Sequence, residues 1–129
     1  ARDQFAALLP VRERVQGAEH PDTLGTRANL AHWTGMTGDA AGARDQLAAL
    51  LPVSERVQGA EHPDTLGTRA NLAYWTGMTG DAAGARDQYA ALLPVRERVQ
   101  GAEHPGTLTT RANLAHWTGR AGDAAPDAS

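Results

Sequence analysis

Apolar residues recur along this chain at helical intervals, and the pattern that they make is itself repeated. Within residues 39–58, Ala40, Ala43, Leu47, Leu50, Val53 and Val57 fall at steps of 3, 4, 3, 3 and 4. Such steps trace one continuous face of a helix. Within residues 21–37, Leu24, Ala28 and Ala31 share one stripe, and Leu30 and Trp33 another. Pro21 suits the first helical position, where its missing N–H would have no intrahelical partner, and Asp22 complements the positive helix start. Gly38 suits a left-handed stop, and Asp39 suits the cap of the next helix. The pattern predicts a helix A over about 21–37 and a helix B over about 39–58. Pro52 lies well inside helix B and removes a backbone hydrogen bond. Because the apolar spacing carries through it, a kinked single helix is favoured over a complete break.

This unit is written three times. Residues 43–84 differ from 1–42 only at Leu47, Ser54 and Tyr74. Residues 85–126 differ from the first copy at Tyr89, Gly106, Thr109, Arg120, Ala121 and Pro126, and 127–129 form a tail. A period of 42 residues signals stacked units sharing a continuous interior rather than one globular core. The predicted class is all-α, an array of antiparallel helical hairpins over residues 1–129 in the order B-A-B-A-B-A. Short loops make successive helices antiparallel. The segment from Gly122 to Ser129 is too short and polar for a further helix B, which ends the last helix A at about 120. The chain opens at Ala1 in mid-motif without Met, and reads as an excised piece of a longer array.

Composition narrows the function classes. The formal net charge is −3, and all twelve basic residues are Arg interleaved with Asp and Glu, without the one-sided basic patch of a nucleic-acid binder. Cysteine is absent, which excludes disulfides and thiolate metal sites. No apolar run reaches membrane-spanning length and no signal peptide is visible. The expectation is a cytoplasmic chain with neither nucleic acid nor membrane as partner. Function must sit on a surface of repeated positions, so an enzyme, which needs unlike reactive groups at one point, is not expected. No cofactor is expected.

At this point the residues resemble a known family. Ala1-x3-Phe5, Ala43-x3-Leu47 and Ala85-x3-Tyr89 match the A-x3-F element of tetratricopeptide repeats. Asn29-Leu30-Ala31, Gly38 and the joint Gly17-Ala18-Glu19-His20-Pro21-Asp22 look like the 42-residue variant found in kinesin light chains and bacterial arrays. Val11-Arg12-Glu13-Arg14 and Val95-Arg96-Glu97-Arg98 belong with them. The sequence departs from the family where Arg27 stands for Trp, Thr34 for Tyr, and where Pro52 interrupts helix B. The resemblance implies a right-handed α-solenoid whose A helices line a concave face on which peptides lie. The Ala/Arg/Gly-rich composition hints at a bacterial source, where such arrays resemble the sensor ends of larger signalling ATPases.

Residues three and four apart share a helix face. The stripe 25, 28, 29, 32 and 36, which in the family faces the groove, holds Asn29, His32 and Met36 in the first copy. It holds Asn71, Tyr74 and Met78 in the second, and Asn113, His116 and Arg120 in the third. An Asn ladder can donate to and accept from a peptide main chain; the same amides could instead brace neighbouring repeats. Three of the few inter-copy differences, His32 to Tyr74, Gly25 to Thr109 and Met36 to Arg120, fall on this stripe.

His20, His62 and His104 precede Pro at each helix A start, where capping fits better than metal binding, since copies of one position lie a repeat apart. The third copy reads His104-Pro105-Gly106, so a chaperone J-domain HPD signature is discarded. TGMTGD lacks the Gly-Lys-Ser/Thr end of a phosphate loop. Trp33, Trp75 and Trp117 are expected as core anchors between hairpins. The two ends should lack neighbours: Phe5, Leu8 and Val11 on the first helix B, and Leu114 and Trp117 on the last helix A. These faces predict head-to-tail or segment-exchanged homo-oligomers, and a spacer or self-assembly module is the alternative to a peptide-binding scaffold.

Overall fold

In the computed structural model, residues 1–124 are described, and they form six helices with no strand among them. They are α1 (Arg2–Gln16), α2 (Pro21–Met36), α3 (Ala40–Gln58), α4 (Pro63–Met78), α5 (Ala82–Gln100) and α6 (Pro105–Ala124). Each packs chiefly on the next in sequence, with a lighter touch between α2 and α4. The expected A and B helices are therefore present in the expected order, and the chain is an all-α repeat solenoid. Residues 125–129, most of the expected polar tail, lie outside the described part.

The helix ends are set by local chemistry. His20, His62 and His104 each turn their own ring onto the helix that they precede, as capping required: Nδ1 accepts from the backbone N–H of Asp22, Asp64 and Gly106 at 3.0–3.1 Å. This satisfies one of the orphan donors of the first turn. At the other end of α2, Gly38 adopts φ 101°; its N–H donates to Gly35 O, and that of Asp39 to Thr34 O. Those two bonds make a Schellman stop. Asp39 then caps α3 by accepting from Gly42 N–H at 2.8 Å, and Asp81 caps α5 in the same way at 2.9 Å.

One helix expectation holds and another changes. Helix α3 runs as a single helix through Pro52, as the apolar spacing favoured, and α1 and α5 do the same at Pro10 and Pro94. All three prolines are exposed, so the carbonyl that each leaves unpaired sits on the solvent side, where water can serve it. Helix α6 runs past 120 to Ala124. Thr37 and Thr79, at the ends of α2 and α4, donate their hydroxyls to the carbonyls of Thr34 and Thr76 at 2.7 and 2.6 Å. Ala121 in their place has no hydroxyl and is buried beside Trp117, so the last helix continues instead of stopping.

The interior crosses the copy boundaries. One cluster joins Leu24 and Ala31 of the first copy to Ala43, Leu47, Leu50 and Trp75 of the second; another joins Ala73 and Ala82 to Ala85, Tyr89, Trp117 and Ala121. The tryptophans make the junction between A helices, but in the direction opposite to that expected. Trp75 reaches back onto Gly35 and Trp117 onto Gly77, so close that a Cβ on either glycine would lie 2.5–2.6 Å from the ring. Trp117 is thus only 5% exposed, and the expectation that it lacks cover is overturned, because its cover comes from the preceding repeat. Trp33 has no earlier A helix to rest on and is 36% exposed.

Gly35→Ala and Gly77→Ala should each destabilise the chain by about 1–3 kcal/mol, the range for overpacking a filled interior. Gly119, where an added Cβ meets nothing within 4 Å, should tolerate alanine and gain up to about 1 kcal/mol of helix propensity. Thermal denaturation of the three variants checks both signs.

Candidate functional site

A depression of about 320 Å³ opens between α2 and α4 above α3. Leu24, Gly25, Ala28 and Asn29 form one wall, Asp64, Gly67, Thr68 and Asn71 the other, and Leu50, Ser54 and Gln58 the floor. The residue types explain the space. A Cβ added at Gly25 or Gly67 would meet nothing within 4 Å, and Ala28 offers only a methyl. The floor is low because Ser54 replaces the Arg found at that position in the other two copies. Its hydroxyl lies 2.9 Å from that of Thr65 and keeps to the bottom.

In the first copy, Arg12 spans the corresponding place to reach Asp22 at 3.2 Å. In the third, Arg96 folds over the start of α6, so near Gly106 that no side chain could be added there without moving it.

Of the residues expected to line a groove, Asn29 and Asn71 both line this depression. His32, Met36, Tyr74, Met78, His116 and Arg120 are exposed further along the A helices, and Asn113 is half-buried; none of these joins it. Side-chain hydrogen bonds within α2 and α4 belong to their threonines, such as Thr26 and Thr34. Among the described residues none involves Asn29, Asn71 or Asn113. Sequence reasoning missed the α3 floor. The signal for it was present in Ser54, one of only three changes in the middle copy.

Of the proposed self-association residues, Phe5, Leu8 and Leu114 are half-buried and Val11 is 42% exposed, while Trp117 is buried. No three His, Cys, Asp or Glu side chains converge as a metal-holding group among the described residues, and none of their helices is long and apolar enough to cross a membrane.

The family model described as Tetratricopeptide repeat matches residues 23–64 and again residues 65–106. The chain belongs to the tetratricopeptide repeat family. Each match begins in an A helix and ends at the start of the next, so the family unit is the pair α2–α3 or α4–α5.

Among solved structures, the chain is similar to two of a Podosopora anserina protein described as a kinesin light chain with nearly identical TPR-like repeats. One is a single-substitution form of that protein, with a TM-score of 0.78; the other has a TM-score of 0.76. Each is 20% identical, and the alignment covers 95% of this chain but 58% of that one. The likeness is one of fold. No curated protein sequence matches.

Within this tetratricopeptide repeat frame, the departure at Thr34 has a structural answer. Thr34 and Thr76 are buried, and each accepts from a glutamine of the following B helix, Gln46 or Gln88, at 3.2 Å. A polar tie stands where the family has a tyrosine. The A-x3-F position also carries a polar tip in the third copy. Tyr89 is 1% exposed, and its hydroxyl donates to Ala70 O at 3.2 Å.

Burial, with a smaller contribution from Tyr74 and opposition from Arg96, pushes the Tyr89 phenol up to about 12 from its ordinary 10.0. A phenol raised on folding contributes stability that is intact below its unfolded value and is lost as pH rises through the folded one. The unfolding midpoint should therefore fall between about pH 10 and 12, and Tyr89→Leu, the residue of the middle copy, should remove that part of the slope. Chemical denaturation across this pH range checks it.

Proposed function

We propose that this tetratricopeptide repeat array is a non-enzymatic, cytoplasmic scaffold that binds an extended peptide or protein segment along its A-helix face. The observation that carries the reading is the open depression between α2 and α4, with Asn29 and Asn71 on facing walls and small residues between them. Amides at repeat spacing suit a main chain, which offers a donor and an acceptor at each residue whatever its side chains. Exposed His32, Tyr74, Met36 and Met78 beyond the depression add apolar and aromatic surface for side chains. Asn113, His116 and Arg120 continue the same stripe.

Peptide display on the immobilised chain tests the reading. Enriched peptides should bind the chain and lose binding to the triple variant Asn29→Ala, Asn71→Ala, Asn113→Ala, whose helicity and melting temperature stay unchanged. Unfolding of the variant would instead mean that the amides brace the repeats, and no enriched peptide at all would sink the groove.

A second reading, self-assembly, is favoured by how the two outer faces mirror the interior. Leu108, Ala115 and Gly119 on α6 are exposed, although their counterparts Leu24, Ala31 and Gly35 are buried by the next repeat. On the opposite side Trp33 lacks the glycine shelf that Trp75 and Trp117 have. A second copy stacking head to tail would seat Trp33 on Gly119 and cover Phe5 and Leu8, a heterologous contact that need not close. Light scattering over a concentration series should then show growing species that Trp33→Ala diminishes. A strictly monomeric chain at high concentration would remove this reading.

A further inference from the structure

Where α3 packs on α2, and again where α5 packs on α4, the same three kinds of contact recur. The first is apolar: Leu47 and Leu50 of α3 share a cluster with Leu24 and Ala31 of α2, and Tyr89 of α5 shares one with Ala73 of α4. The second is a hydrogen bond, donated by Gln46 Nε2 to Thr34 Oγ1 and by Gln88 Nε2 to Thr76 Oγ1, both at 3.2 Å. The third is an ion pair between the end of a B helix and the joint of the preceding copy, Arg56 with Glu19 and Arg98 with Glu61. In a stack of near-identical units, such contacts belong to the interface between neighbours.

The two outer faces hold the separate halves of one more such interface. On α6 and the joint before it, Glu103, Leu108, Ala115 and Thr118 stand where Glu19, Leu24, Ala31 and Thr34 stand in the first copy. All four are exposed, whereas Leu24, Ala31 and Thr34 are buried. On α1, Gln4, Phe5, Leu8 and Arg14 stand where Gln46, Leu47, Leu50 and Arg56 stand on α3. Gln4 and Arg14 are exposed. Among the described residues, none of Gln4, Arg14, Glu103 and Thr118 makes a side-chain hydrogen bond or an ion pair. The halves match position by position: apolar to apolar, amide donor to hydroxyl, cation to anion.

We propose that the occupant of the α6 face is α1 of a second copy, and that two polar contacts across it, Arg14 to Glu103 and Gln4 to Thr118, fix its direction and register. This rests on the self-assembly reading above and adds to it the residues that choose the orientation. Apolar burial is non-directional and leaves the sense of the incoming helix open. Charges are not indifferent: opposite signs steer the approach, and like signs opposed across an interface are disfavoured. Gln4 and Arg14 lie ten residues apart, roughly 15 Å along a helix, so pinning both leaves one register. Only a head-to-tail contact brings Arg14 of one copy to Glu103 of another. Each added copy then presents a further α6 face, and the contact propagates as an open stack.

The test is sedimentation equilibrium of the whole chain over a concentration series, with Arg14→Glu, with Glu103→Arg, and with an equimolar mixture of the two variants. Both positions are exposed and unpaired within their own chain among the described residues, so each variant should keep the melting temperature of the unaltered chain. Each alone sets like charges across the contact and should weaken association about fivefold, the scale of an exposed ion pair. Glu103→Arg also moves the net charge of −3 toward zero, which by itself favours association. Its weakening is therefore specific to the contact. In the mixture, junctions that alternate the two variants are all oppositely charged, and association should return to that of the unaltered chain.

An unaltered chain that associates, with neither variant weaker and the mixture no stronger than its components, overturns the proposal and leaves self-assembly standing through another contact. An unaltered chain that stays monomeric at every concentration overturns both.

Discussion

Every other feature of this molecule depends on a flat indole ring lying against a backbone that has no side chain. Trp75 on Gly35 and Trp117 on Gly77 set how closely successive A helices approach. An aromatic side chain of this size removes roughly 150–250 Å² from water, which at about 25 cal/mol per Å² contributes several kcal/mol at each junction. The glycine has to be a glycine because the ring occupies the volume of its missing Cβ. Since each ring reaches back to the previous copy, no repeat completes its own interior, and the clusters that hold Leu47 and Tyr89 are both assembled from two copies. The A helices are thereby held side by side at one spacing, and that spacing turns single asparagines into a ladder.

The junction also explains why the two outer faces differ from each other. A ring without a shelf is left at α2, and a shelf without a ring at α6. The exposed Trp33 and the buried Trp117 have the same neighbours in sequence, His before and Thr after, so nothing local separates them. Position within the stack does. In a nearest-neighbour array, burial belongs to the interface rather than to the residue.

Much of the fold could be read from the residues because the local signals agree with one another. The 3-4 spacing, Pro at the first helical position, Asp39 as cap and Gly38 as left-handed stop each mark the same boundaries that the helices show. What escaped was directional or contextual. A repeat pattern says that tryptophans sit between hairpins, but not which way each leans. The run of α6 to Ala124 turned on one lost hydroxyl at Ala121, a change that reads as neutral in a helix pattern.

On the groove the legibility was partial for a different reason. Helical periodicity finds a stripe on one helix, so Asn29 and Asn71 were visible, but the floor is contributed by α3, and its depth depends on which side chain α3 sends upward. Near-identity of the copies makes that choice readable after all. Where three copies agree, the position serves the stack; where one departs without disturbing the packing, the departure alters what the surface offers. Ser54 lowers the floor under the first pair of A helices, and Gly106 gives Arg96 room to fold over the start of the last. These two changes hit opposite members of the Arg–Asp pair that the first copy keeps whole. A stack of near-identical repeats acquires direction in this way, since Asp64 stands without its arginine at one station and Arg96 without its aspartate at the next.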